Sequence, residues 1–429
     1  MLQPLQEFLR TSSAGGSLLL GAVIVALLWA NSPWRTGYDT LWHTDVSIRL
    51  GGWLLAGDLR HAVNDGLMTL FFLLVGLEIK RELTVGELRE WRAAALPMIA
   101  ALGGMVIPAL IYAAVNAGGP GANGWGIPMA TDVAFALAVL TLAARFAPPS
   151  LKPFLLTLAI VDDIGAIVVI AAFYSGGIRW EPLGVAAGLL LVIVLMQRVH
   201  VRSTSAYLVL GFFVWYATYR SGVHPTIAGV VLGLLTPSLA FQRPEAVSDE
   251  ARRTADLTED EPGTPDADAH WWLRLAGISR EAVSPLARVE HTLLPWSSFV
   301  ILPMFALANA GVELSWSALG AATTSRIALG VVAGLVIGKL AGIWLATFAA
   351  VKLGVARLPD GVERVTIAGL AATAGVGFTV SLFIADLAFD DASLLDEAKL
   401  GILAASLLAG GLGYVVLRFA SRGHGFAAE

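Results

Sequence analysis

The chain has 429 residues, of which 56% are hydrophobic and only 14% charged, and its mean hydropathy is +0.73. That is about half the charge of an ordinary soluble domain, and the net charge of -5 leaves no basic field for nucleic acid. With no cysteine there is no disulfide framework, thiolate metal site or cysteine nucleophile, so a soluble enzyme, a secreted scaffold and a nucleic-acid binder are all disfavoured.

At the N-terminus, Leu2, Leu5, Phe8 and Leu9 share one helical face, with Gln3, Gln6, Glu7 and Arg10 elsewhere. This pattern reads as a short interfacial helix leading into a first span, not as a cleavable signal. A membrane helix needs about 20 apolar residues. Apolar runs predict spans at 13–31, 60–82, 95–116, 121–144, 151–174, 181–198, 204–218, 223–236, 288–312, 326–351, 358–387 and 396–420. Alternate connections differ in charge. One set carries Lys80, Arg81, Arg89, Arg92, Arg145, Lys152, Arg198, Arg202, Lys352, Arg357, Arg364, Arg418 and Arg422. The other has Arg35, Arg49, Arg179, Arg220 and Lys399, with Arg60 and Arg326 at its margins. The positive-inside rule then places both termini in the cytoplasm. The expectation is an all-α polytopic membrane protein of about a dozen spans.

Two connections are long enough to hold structure. In 45–59, Val46, Ile48 and Leu50 alternate with Ser47 and Arg49, and Gly51-Gly52 precedes Trp53 and Leu55. An outer β-hairpin and an irregular loop both fit. The stretch 237–287 is expected on the cytoplasmic side, and its centre, DLTEDEPGTPDADAH, is too acidic and too poor in large apolar residues to order itself. Disorder is the expectation there, with WWLRLAGI (271–278) settling at the membrane surface.

Charges inside the spans need a reason, because each costs roughly 2.5–3.5 kcal/mol at mid-membrane even on lenient scales. Asp132 lies inside GIPMATDVAFALAVL, Asp162 and Asp163 inside LLTLAIVDDIGAIVVIAA, and Lys339 inside IALGVVAGLVIGKLAGIWLATF. Asp65, nearer a span end, reads as a packing or capping group. Three acids against one base cannot pair completely, so one or two carboxylates remain for a proton or a cation. Asp162 and Asp163 point about 100° apart on a helix and cannot do the same job. Ala159 and Ala166 flank Asp163 on its own face, leaving room for an ion. Gly330, Gly334, Gly338 and Gly342 form a small-residue stripe that lets another helix approach Lys339 closely.

Two spans also look interrupted. Gly126, Pro128 and Thr131-Asp132 precede a half-helix starting at Val133, which Asp132 is placed to cap. Gly375-Val376-Gly377 breaks the run at 358–387. Paired interruptions in the two halves of a chain point to a transporter's binding site, with the third-to-fifth and tenth-to-twelfth spans as candidate repeats. Half-helix N-termini are positive and C-termini negative, so Asp132 would balance the former and Lys339 the latter. Two other readings fail. Gly338-Lys339 lacks the first glycine and the Ser/Thr of a phosphate loop, and Asp162-Asp163 has Ala166 where a DDxxD metal motif needs an acid.

With TDVAFAL, VDDIGA and IGKLAG in hand, the chain resembles the NhaA family of sodium/proton antiporters. NDGLMTLFFLLVGLEIKREL (64–83), LPMIAALGGMVIPALIYA (96–113), SGVHPTIAGV (221–230), VEHTLLPW (289–296), FALANAGV (305–312) and GVGFTVSLFI (375–384) extend the likeness over the whole chain except the acidic stretch. Inverted repeats with two broken, crossing helices are a known property of that family and are implied by the resemblance. So are the roles that follow. Asp163 would be the principal cation ligand. Asp162 would pair with Lys339, and Thr131 and Asp132 would lie near the ion at the crossing. Glu78, Arg81, Glu82 and Glu290 would line a cytoplasmic funnel that senses pH. The expected activity is pH-regulated, electrogenic exchange of cytoplasmic Na+ or Li+ for external H+, in a multi-pass protein of the inner membrane that pairs through an outer ribbon at 45–59. No enzyme activity and no cofactor are expected; membrane lipid, Na+ and H+ are the partners. The chain departs from the family in its acidic stretch and in Leu294, where relatives can carry histidine, while His224 and His291 remain. A sodium-coupled solute symporter is the nearest rival, but the buried polar groups here are almost all carboxylates.

Overall fold

The structure is a computed structural model, describing every residue except 1–2, 51–52, 144–147, 149, 202, 261–264, 360 and 426–429. Seven helices are each long and apolar enough to cross a membrane: Leu59–Thr84, Ala94–Val115, Leu151–Phe173, Trp180–Arg198, Pro285–Asn309, Arg326–Lys352 and Ala392–Ala420. Two more crossings are broken, as Gly126/Pro128 and Gly375/Gly377 foreshadow. Ala122–Met129 meets Val133–Ala143 at a 43° bend, and Arg364–Thr373 meets Phe378–Ala388 at 48°. The first apolar run lies within a continuous helix, Gln3–Ala30. The next helix, Arg35–Trp42, turns off it by 116° and so does not continue the crossing.

Thr204–Ser221 and Thr226–Leu235 occupy the remaining two predicted places. The second differs from the expected span at 223–236. Bounded by Pro225 and Thr236-Pro237, it has 10 residues, so it rises about 15 Å, half of an apolar core about 30 Å thick. It is held by close packing on Leu59–Thr84. A Cβ added at Gly233 would lie 2.6 Å from the Leu73 carbonyl oxygen and 2.8 Å from the Gly76 Cα.

The helices fall into two groups. Ala94–Val115, Leu151–Phe173, Arg326–Lys352 and Ala392–Gly425 surround the two broken crossings. In the other group Leu59–Thr84 packs on Thr226–Leu235, Trp180–Arg198 on Thr204–Ser221, and Gln3–Ala30 on Leu302–Asn309. The glycine stripe packs as its spacing predicts. A Cβ at Gly334 would meet Pro128, and one at Gly338 would lie 2.8 Å from the Pro108 Cα, so the Lys339 helix lies directly on Ala94–Val115 and the first crossing.

Of the two readings of 45–59, the hairpin is present. Asp45–Leu50 and Trp53–Asp58 pair antiparallel, with Leu50 opposite Trp53 and Asp45 opposite Asp58; the glycine pair lies outside the described residues. Asp58 caps the helix that follows, accepting from the His61 N–H at 2.7 Å. Burial pushes its carboxyl up, but the His61 backbone and ring bonds outweigh this and hold it below the usual range. Asp65 is not the cap; it lies inside a π turn, Ala62–Leu67.

The stretch 237–287 departs from the expected disorder. It carries two helices, Pro244–Asp260 and Pro265–Glu281, packed on each other and joined by Arg274 Nε to Glu250 Oε1 at 2.8 Å. Glu250 and Thr254, one turn apart on the first helix, are buried although both are polar. Part of the Pro/Gly-bearing centre, 261–264, lies outside the described residues. Trp272 and Leu273 stand exposed on the second helix.

Candidate functional site

The two broken crossings meet at their interruptions. The Asp132 N–H donates to the Val376 carbonyl at 2.6 Å, and the Ser381 hydroxyl donates to the Ile127 carbonyl at 2.8 Å. Gly377 permits this approach, since a Cβ there would lie 2.9 Å from both the Ala130 carbonyl oxygen and Leu335. Asp132 caps its own half-helix as predicted, with Oδ1 accepting from the Phe135 N–H at 3.2 Å. Its Oδ2 also accepts from the Thr379 N–H at 3.1 Å and the Thr379 hydroxyl at 2.7 Å. One carboxylate therefore faces the positive N-terminal ends of the second half-helix of each crossing, Val133–Ala143 and Phe378–Ala388. Sequence patterning finds the first cap but not the second, because Thr379 lies 247 residues away.

Asp162 and Lys339 are fully buried and form an ion pair. Asp162 Oδ2 also lies 2.7 Å from the Thr131 hydroxyl, which is 2.8 Å from the Ala374 carbonyl oxygen. A hydroxyl has one proton, so Thr131 satisfies only one of these acceptors at a time. Asp162 Oδ1 is buried with no hydrogen-bond partner among the described residues. A π turn, Ala333–Gly338, ends just before Lys339, a local widening common at functional positions.

Asp163 is the remaining acid, 8% exposed. Among the described residues no hydrogen bond or ion pair reaches its carboxylate. The charges that act on it are Glu78, Asp162, Asp132 and Lys339. The four intramembrane charges singled out from sequence thus converge on one locus. Of the three acids, one is paired with the lysine, one caps two helix ends, and one is left over.

The four residues expected to line a cytoplasmic funnel also lie together. Arg81 on Leu59–Thr84 pairs with Glu290 on Pro285–Trp296 and approaches Glu82 at 3.8 Å. Glu78, one turn before, lies within the field of Arg81, Glu290 and Glu82.

A second polar cluster was not foreseen. Arg60 Nη2 pairs with Asp386 Oδ1 at 3.0 Å, and Arg60 Nε donates to Asn309 Oδ1 at 3.0 Å. Asn64 donates to Asp386 Oδ2 at 2.7 Å, and Asn309 to Asn64 Oδ1 at 2.8 Å. Nearby, His224 Nε2 lies 3.7 Å from Asp65 Oδ1, while its Nδ1 lies 2.8 Å from the Thr226 hydroxyl. The cluster ties the far end of the Phe378–Ala388 half-helix to two other helices. Arg60 and Asp386 sit at predicted span ends, where charge is unremarkable, so the sequence carries no signal of their pairing.

Residues 6–417 match the family described as Na+/H+ antiporter 1. The chain is 46% identical over 430 residues to "Na(+)/H(+) antiporter NhaA 2" of Sorangium cellulosum, covering 99% of this chain and 92% of that protein. It is 47% identical to "Na(+)/H(+) antiporter NhaA" of an Anaeromyxobacter species, covering 98% and 92%. A protein of the same name from Acidithiobacillus ferrooxidans is 44% identical, with 99% of each chain covered.

Proposed function

Because the chain belongs to the Na+/H+ antiporter 1 family, and so exchanges sodium for protons across a membrane, we propose that Asp163 is the site the two cations share. The observation that carries this reading is a buried carboxylate without a partner, beside an Asp162–Lys339 pair that accounts for the one buried base of the site. A buried unpaired carboxylate is costly. A proton or a sodium ion relieves that cost, and the two exclude each other. Sodium is a hard cation suited to oxygen ligands. The oxygens at hand are the Asp163 carboxylate, the unpartnered Asp162 Oδ1 and the Thr131 hydroxyl. Asp132 acts at one remove: its oxygens are engaged by the half-helix ends, and it holds the two interruptions together while adding negative field. The sodium-coupled symporter finds no support.

The site faces each side in turn as the helices around the broken crossings move against the other group. Loading a proton from outside expels sodium, and sodium from the cytoplasm expels the proton. When the Asp162–Lys339 bond opens, Asp162 becomes available to a second proton, which makes the exchange electrogenic. The protein sits in the inner membrane with both termini in the cytoplasm. Glu78, Arg81, Glu82 and Glu290 line the cytoplasmic approach, where their shared network couples pH to access. No resident metal or organic cofactor takes part.

The test is proton movement in vesicles holding the purified protein and an imposed pH gradient. Adding Na+ or Li+ should collapse the gradient with the unaltered protein. Asp163→Asn should abolish that response while leaving insertion and helix content intact. Exchange at the unaltered rate in this variant would overturn the assignment.

A further inference from the structure

Trp180–Arg198 and Thr204–Ser221 pack as an antiparallel pair, away from the broken crossings. Two backbone bonds fasten them where the first begins and the second ends: Arg179 N–H to the Ser221 carbonyl at 2.8 Å, and Gly176 N–H to the Gly222 carbonyl at 3.3 Å. Gly222 turns the chain there at a φ of +81°, a conformation that glycine adopts freely. Beside this fastening lies a cavity of about 530 Å³, within the size range of sites for small organic molecules. Val185, Leu189, Phe213 and Ala217 are among its apolar walls, and Glu181 and Arg220 also line it.

The slot belongs to a lipid-facing surface. Only 11% of the Trp180–Arg198 span is buried, and Val185 is 57% exposed. Glu181 lies in the first turn of one helix and Arg220 in the last turn of the other, so both line one end of the slot. Among the described residues no ion pair joins them, although their charges are opposite, and Arg220 donates to the Tyr216 hydroxyl at 3.4 Å. An apolar slot open to hydrocarbon, with a separate cation and anion at one end, complements one kind of molecule. We propose that it binds a phospholipid whose headgroup carries a phosphate and a primary ammonium. An acyl chain lies along Val185, Leu189, Phe213 and Ala217, Arg220 takes the phosphate, and Glu181 accepts N–H bonds from the ammonium. A headgroup carrying only negative charge leaves Glu181 facing like charge. A quaternary ammonium offers it no N–H donor.

The test uses the full chain in a neutral detergent. Equal amounts of phosphatidylethanolamine, phosphatidylglycerol and phosphatidylcholine with identical acyl chains are added, and retained lipid is read by native mass spectrometry. Phosphatidylethanolamine should be retained about tenfold over phosphatidylcholine, the ratio for one charge-assisted hydrogen bond, and should also exceed phosphatidylglycerol. Glu181→Gln should reduce phosphatidylethanolamine to the level of phosphatidylcholine, and Arg220→Gln should weaken all three. Both positions are exposed, so neither change should alter the melting temperature without lipid. Equal retention of the three lipids, a preference for phosphatidylglycerol, or an ethanolamine preference that survives Glu181→Gln would overturn the proposal.

Discussion

Lys339 is the residue whose environment most constrains the site. It has no exposed surface, its partner Asp162 has none, and the glycines beside it bring Ala94–Val115 into direct contact. Removing one partner of a buried ion pair leaves the other charge uncompensated, which costs roughly 3–5 kcal/mol in soluble proteins. Lys339→Ala should therefore lower the melting temperature in detergent strongly, and Lys339→Arg, which keeps the charge, should lower it less. An alanine variant that melts with the unaltered protein would show that the pair contributes no net stability. All four intramembrane charges were legible in the sequence, because an ionised group in an apolar run is conspicuous whatever the fold. Which acid would be left unpaired came only from the family resemblance, not from the pattern of the residues themselves. Adjacent side chains about 100° apart on a helix meet different neighbours, and only packing decides that Asp162 meets Lys339 while Asp163 meets no partner.

Among the elements, the half-helix Phe378–Ala388 is held at both ends. Asp132 binds the Thr379 N–H near its start, and Arg60 with Asn64 grips Asp386 near its finish. The second grip links a moving part of the proposed exchange cycle to Leu59–Thr84. In a double-mutant cycle on melting temperature, Arg60→Ala and Asp386→Ala should be non-additive by about 0.5–3 kcal/mol, as for residues in one network. Simple additivity would mean the pair is not coupled. The hairpin junction makes a pH prediction. The Asp58 carboxyl lies below its usual range, so its stabilisation is present above the unfolded-state value of roughly 3.9 and is lost as pH falls through the lower folded value. Asp58→Ala should lower the melting temperature by the equivalent of about 0.5–2 kcal/mol near neutral pH, as for loss of a helix cap. The two proteins should converge in acid, and a difference that grew as pH fell would contradict the capping role. The breaks in both crossings were legible from Gly126, Pro128, Gly375 and Gly377. The π turns at Ala62–Leu67 and Ala333–Gly338 were not, since one extra residue in a helical turn leaves no compositional trace.

For the molecule as a whole, the hairpin is a two-stranded ribbon, marginal by itself in water, and its open edges accept a further strand. A second copy related by a two-fold axis would supply that strand, so we propose that the protein pairs through 45–59. Each copy holds a complete set of Asp132, Asp162, Asp163 and Lys339, and exchange should not need the partner. Deleting 46–56 should give monomers that still exchange sodium for protons but melt at a lower temperature. A deletion variant that stays dimeric by mass in mild detergent would show that the main contact lies elsewhere. Composition, hydropathy and the ordered motifs determined by themselves that this is a polytopic helical membrane protein of one antiporter family. Apolar length and stranded charge are properties of the chain that no packing can hide. Three features were decided by tertiary structure: the docking of the half-length helix Thr226–Leu235 on Leu59–Thr84, the packing of the helical pair in the acidic stretch, and the joining of two crossings on the single carboxylate of Asp132. Each rests on contacts between separate segments, whether neighbouring helices joined through a buried Glu250, a glycine facing a glycine, or a threonine 247 residues from Asp132.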